Sequence, residues 1–108
     1  MKVTVCQFAG RVAPRYDGAA SIAIFSIDNG GKIESVYVLN VENLNPEELN
    51  ELICVSDVHI LLCGGIKKEW KDVLENRGIK VIDNVIGNIE KVIERLISGS
   101  LNPGDIVR

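Results

Sequence analysis

Apolar positions along the chain follow two rhythms, a short alternating or continuous one and a helical one. Glycine, proline and asparagine mark the points where they change. Residues 2–7 (KVTVCQ) form a short β-rich run, and residues 21–28 (SIAIFSID) and 32–40 (KIESVYVLN) read as two further strands. Asp28-Asn29-Gly30-Gly31 lies between these two and tolerates positive φ, so they are predicted to close as an antiparallel hairpin. Residues 58–63 (VHILLC) are almost wholly apolar and stop at Gly64-Gly65, the pattern of a central strand covered on both faces. Residues 79–82 (IKVI) form a last short strand.

The helical rhythm occurs three times. Asn45-Pro46-Glu47-Glu48 is a helix start, because Asn45 accepts from an orphan N–H, Pro46 needs no N–H there, and the carboxylates favour the positive end of the dipole. Leu49, Leu52 and Ile53 then mark its buried stripe. Ile66, Trp70, Val73 and Leu74 repeat at helical spacing before Gly78, with Trp70 read as core. Ile89, Val92, Ile93, Leu96 and Ile97 keep the i, i+3, i+4 pattern up to Gly99. The stretch from Gly10 to Gly18 reads as a loop after the first strand, and residues 101–108 read as a tail leaving the domain.

The order β-β-β-α-β-α-β-α predicts an α/β domain of three layers, with an antiparallel start and right-handed crossovers into parallel strands. A ribonuclease-H-like arrangement fits it: a mixed five-stranded sheet in spatial order 3-2-1-4-5, strand 2 antiparallel, with helices on both faces. The carboxyl ends of the first and fourth strands are then neighbours, and ligands of open α/β sheets favour such a crevice.

Composition narrows this picture without changing it. A length of 108 residues suits one domain, taken as residues 1–100, and 46% hydrophobic residues with only 5% aromatics call for a core of Val, Ile and Leu. A net charge of -3 argues against a partner bound through many phosphates, so no nucleic acid is expected. No run approaches the ~18–20 apolar residues of a membrane span, and the first residues do not resemble a signal peptide, so a cytoplasmic protein without a membrane partner is expected. Cys6, Cys54 and Cys63 show neither CxxC nor zinc-type spacing, so free thiols are expected.

Three groups of residues carry a family resemblance. Gly10-Arg11-Val12-Ala13-Pro14-Arg15-Tyr16-Asp17 follows the first strand; Cys63-Gly64-Gly65-Ile66 and Gly78-Ile79-Lys80-Val81-Ile82 frame the middle; Gly87 opens a helix that ends at Ser98-Gly99-Ser100-Leu101. In order and spacing they resemble the dinitrogenase iron-molybdenum cofactor biosynthesis family across nearly the whole chain. The resemblance is weakest between Val41 and Val55, and Tyr16-Asp17 stands where an aromatic-glycine pair is common. The resemblance implies a ribonuclease-H-like fold, no established enzymatic activity, and the binding or carrying of iron-sulfur or iron-molybdenum clusters between donor and acceptor proteins.

Against that expectation, Cys6 and Cys63 end neighbouring strands and are candidate soft ligands for such a cluster. The plainer reading is two small buried hydrophobes, and Cys54, on a helix, is the weakest ligand of the three. Arg11 and Arg15 bring two cations into a loop opposed only by Asp17 and would attract an anionic cluster, or simply be solvated. Gly64-Gly65 and Gly87 lead toward helices whose N-termini offer N–H groups to an anion, although a Gly-Gly pair also marks an ordinary tight turn. His59 is a further candidate metal ligand, with a hydrogen-bonded structural histidine as the alternative. Tyr16 either closes over a ligand or packs down on the sheet.

The leading functional reading is thus a binding or carrier protein for an anionic iron-sulfur or iron/molybdenum-sulfur cluster. The alternative is a metal-free protein-interaction or regulatory subunit. A nuclease is disfavoured because Val3-Thr4-Val5-Cys6 offers no carboxylate for Mg²⁺. Oligomeric state is left open.

Overall fold

The computed structural model describes residues 1–108. In chain order it contains β1 (Lys2–Phe8), β2 (Arg11–Val12), a 3-10 turn (Tyr16–Gly18), β3 (Ser21–Ile27), β4 (Ile33–Asn40), α1 (Pro46–Val55), β5 (Ile60–Leu62), α2 (Lys68–Asn76), β6 (Lys80–Ile82) and α3 (Ile89–Ile97). The strands form one mixed sheet in the order β4-β3-β1-β5-β6, with short β2 paired to β1. β1, β3 and β4 run antiparallel in turn, whereas β1, β5 and β6 are parallel.

Because side chains alternate along a strand, β1 and β5 feed two separate cores. Cys6, Leu61 and Cys63 face one side with Leu49 and Ile53 of α1 and Leu74 of α2. Val3, Val5 and Leu62 face the other, against Ile89, Val92 and Ile93 of α3. The helices start where capping chemistry allows. Asn45 and Glu48 exchange side-chain-to-backbone hydrogen bonds in a capping box, and the Asn88 side chain accepts from the Glu90 and Lys91 N–H groups of α3.

Four expectations need correction. The segment after the first strand is not all loop. Ala9 and Gly10, both at positive φ, turn the chain so that Arg11 opposes Phe8 in a two-residue hairpin. Two residues of strand are too short for periodicity to reveal. The C-terminal residues 101–108 do not leave the domain. Leu101 and Val107 are buried in the α3-side core, and the Val107 N–H donates to the Ile86 carbonyl. Trp70 is only half-buried at the edge of the opposite core, and Val73 is exposed, so the α2 stripe is narrower than its spacing implied. Finally, α2 begins at Lys68 and not directly after Gly65, because Gly65 is tied to the loop beside it.

Candidate functional site

The carboxyl end of the sheet is where the chemistry gathers, and a single crossing of the backbone organises it. After β2, residues 13–16 pass over the ends of β1 and β5. The Ala13 N–H donates to the Cys6 carbonyl at 2.8 Å, the Gly65 N–H to the Pro14 carbonyl at 2.8 Å, and the Tyr16 N–H to the Gly65 carbonyl at 2.8 Å. This approach explains Gly64. A Cβ there would lie 2.3 Å from the carbonyl oxygens of both Ala13 and Pro14, so only glycine lets the loop settle. Gly64 and Gly65 therefore dock the loop, and the Gly65 N–H is already used.

Gly87 has a comparable structural duty. Its φ is +155°, and a Cβ would meet the Val107 carbonyl oxygen at 2.9 Å. Its carbonyl accepts from the Val12 N–H. The α3 N-terminus behind it is capped by Asn88, which leaves less of it for a ligand than the sequence suggested. The α2 N-terminus differs, since Lys67 at its cap position gives no side-chain hydrogen bond.

Val5 pairs with Leu62, so Cys6 and Cys63 come one residue further along adjacent parallel strands. The structure thus brings the two thiols together, but under the loop. Both are fully buried. Burial pushes the Cys63 thiol up to about 12, with the Asp83 charge adding to this and Lys71 opposing it. Burial likewise raises Cys6 well above the ordinary thiol value, reinforced by Cys63. Both are therefore protonated at neutral pH, and neither borders a cleft. Tyr16 packs down beside them, fully buried, and its hydroxyl donates to the Asn50 side-chain oxygen. Burial, and then the neighbouring cysteines, hold its phenol protonated. Cys54 is partly buried on α1 and packs against the same core.

His59 does not join this group. It precedes β5, at the opposite end of the strand from Cys63, is exposed, and its Nδ1 accepts from the Lys2 N–H at 2.9 Å. That nitrogen is committed to the backbone, and the length of β5 separates His59 from Cys6 and Cys63. No three His, Cys, Asp or Glu side chains come together in a metal-binding cluster.

The crossing loop forms a ridge with a shallow cleft on each side. One cleft, about 290 Å³, is lined by Arg15, Tyr16, Asp17, Gly65, Ile66, Lys67 and Trp70. The other, about 340 Å³, runs past Arg11, Pro14, Gly64, Asn84 and Ile86. Arg11 and Lys67 are exposed and enter no ion pair, while Arg15 pairs with Asp17 at 3.0 Å and holds that carboxyl below its usual range. Three cations thus border the two clefts of an otherwise acidic chain.

Sequence reasoning missed Asn84 and Asn50. Asn84 sits at positive φ after β6 and its N–H donates to the Gly64 carbonyl, so it fixes the cleft floor. The Asp83-Asn84 pair was a legible turn signal, since asparagine tolerates that conformation. Asn50 carries no such signal, because a polar residue on a helix becomes meaningful only when a partner such as Tyr16 is buried against it.

The comparisons with known proteins agree with this architecture. The family model described as dinitrogenase iron-molybdenum cofactor matches residues 1–99. Among solved structures, PH0822 superposes with a TM-score of 0.87 at 23% identity, covering 95% of this chain and 94% of that one. The protein mj0327 of Methanocaldococcus jannaschii gives 0.79 at 18%, covering 94% and 92%. The apo form of the orange protein from Desulfovibrio gigas gives 0.75 at 18%, covering 94% and 91%. At these identities the likeness is one of fold. No curated protein matches the chain.

Proposed function

The chain belongs to the dinitrogenase iron-molybdenum cofactor family, and from that premise we propose that it binds or carries an anionic iron-sulfur or iron/molybdenum-sulfur cluster during metal-cofactor assembly. We read its fold as ribonuclease-H-like and its role as non-enzymatic, passing the cluster between donor and acceptor proteins. The observation that carries this reading is the placement of Arg11, Arg15 and Lys67 around the clefts beside the crossing loop, with Arg11 and Lys67 in no direct ion pair.

Such a cluster is cargo, and the residues suit it in one way better than another. Unpaired cations at a partly enclosed surface attract an anion at long range and release it without breaking covalent bonds. The uncapped α2 N-terminus beside Lys67 adds donors of the same sign. Thiolate ligation by Cys6 or Cys63 is the costlier mode, because the loop must lift and a desolvated thiol must lose its proton. Charge attraction thus makes the first contact in this reading, with the cysteines as a second step.

Anaerobic titration with iron plus sulfide, and separately with thiomolybdate, tests it by visible absorption. Arg11→Gln with Arg15→Gln should weaken uptake while keeping the band, and added salt should act likewise. Cys63→Ser should leave the first contact intact and alter the band only if thiolate bonds form. A wild-type protein that stays colourless in both titrations sinks the proposal and favours the metal-free interaction subunit, a role to which the exposed apolar strand β4 is suited.

A further inference from the structure

β4 is an edge strand that behaves, in composition, like an interior one. It pairs with β3 alone, so one side of its backbone is unpaired. Val36, Tyr37 and Val38 are 47%, 67% and 59% exposed, and Leu39 and Ile33 are exposed as well. Both faces of the strand are bare. Val36 and Val38 lie opposite Phe25 and Ala23 on the α3 side, whereas Tyr37 and Leu39 lie opposite Ile24 and Ile22 on the other. Natural edges are usually protected by charge, proline or shortness, and from Ser35 to Leu39 this one has none of these.

The hydrogen-bond parity says which groups are free. The Val41 N–H donates to the Ala20 carbonyl at 3.1 Å, so the odd residues of the regular stretch turn their backbone toward β3. The N–H and C=O groups of Val36, Val38 and Asn40 therefore point outward. The bulge opposite Ser26 and Ile27 ends this regular stretch near Glu34.

We propose that β4 is a self-association edge, pairing antiparallel with β4 of a second copy about a twofold axis at Tyr37 to make one continuous sheet. Only registers that set even residues against even residues satisfy the outward groups, and charge selects among them. A pair centred on Val38 brings Glu34 against Glu42, and one centred on Val36 sets Glu34 against apolar Val38. Centring on Tyr37 sets Val36 against Val38 and Glu34 against Asn40, and brings the exposed Lys32 of one copy to the end where the exposed Glu42 of the other lies. Because the contact is isologous, each favourable pair occurs twice, and the apolar residues of both faces gain identical neighbours.

Sedimentation equilibrium on the wild-type chain should give a reversible monomer-dimer equilibrium. Val38→Pro removes only an outward donor, so the monomer should keep its far-UV circular dichroism while the dimer dissociation constant rises about tenfold or more, as loss of two hydrogen bonds implies. Val36→Lys, which sets a charge against Val38 of the second copy, should do the same by a different route. Lys32→Glu should weaken the dimer about threefold, and adding Glu42→Lys should restore it. A wild-type chain that sediments as a monomer at every loading concentration overturns the proposal. So does a dimer whose constant is unchanged in the folded Val38→Pro and Val36→Lys proteins. Failure of the double charge exchange to restore pairing overturns the register.

Discussion

β5 and the Val36–Leu39 stretch of β4 are both apolar, yet they have opposite fates. Leu61 and Leu62 of β5 are fully buried between two helical layers, whereas Val36, Tyr37 and Val38 of β4 stand in solvent on both faces. Hydrophobicity along a strand therefore sets its tendency to be covered, and the reach of the helices sets whether it is. α1 and α2 on one side and α3 on the other cover β1, β5 and β6, and the sheet outgrows them at β4. The covered half carries the stability, and the uncovered half is left for contact with something else.

The most direct way to break this contrast is to truncate both strands. Leu62→Ala should cost about 2–5 kcal/mol in urea unfolding, through lost burial and the cavity left behind. Val38→Ala, measured at low protein concentration, should change stability by no more than about 0.5 kcal/mol. Comparable losses at the two positions would mean that β4 is covered after all.

A second test concerns the loop that seals the covered half. Gly64→Ala forces a methyl into the Ala13 and Pro14 carbonyls, and the backbone shift should cost about 1–3 kcal/mol. Amide exchange at Gly65 and Tyr16 should quicken with it, since their hydrogen bonds hold the crossing. A Gly64→Ala protein with wild-type stability and exchange would show that the loop is not seated on that glycine.

Helix α3 offers a smaller handle. Asn88→Ala removes the side-chain oxygen that accepts from the Glu90 and Lys91 N–H groups, and thermal unfolding should report about 1 kcal/mol of loss. The same change frees those N–H groups. If anions are drawn to this end of the sheet chiefly by helix N-termini, thiomolybdate uptake should rise; if the arginines dominate, it should not change.

The least effect near neutral pH is one of slope. Cys63 and Cys6 are held protonated in the folded state, above the ordinary thiol value of 9.0. Between that value and about 12 for Cys63, the unfolded chain has lost the proton that the folded chain keeps, so stability falls as pH rises. Below pH 9 the contribution is fully present. The urea midpoint should therefore decline through this alkaline window, less steeply in Cys63→Ala. An equally steep decline in that variant would mean that the thiol is not the titrating group.

Much of the fold was legible because local signals agreed with one another. Asn45-Pro46-Glu47-Glu48 announced α1, the spacing from Ile89 to Ile97 announced α3, and Asp28-Asn29-Gly30-Gly31 announced the β3–β4 hairpin. The site was legible only as a list of residues. Cys6, Arg11, Arg15, Cys63, Gly64, Gly65 and Gly87 do converge at one end of the sheet, but the sequence could not say which face water and which lie under the loop. His59 fell outside because it lies at the start of the 58–63 run that Cys63 closes, so the length of the strand separates the two side chains.

The sequence by itself determined the β3–β4 turn, the α1 cap and the apolar spacing of α3, because those choices depend on neighbours a few residues away. Tertiary structure alone decided the rest. It seated residues 13–16 on Gly64 and thereby buried two thiols that strand ends would otherwise have exposed. It drew residues 101–108 back onto α3 through Leu101 and Val107. It also left β4 uncovered, because three short helices cannot span the full width of the sheet that their own chain builds.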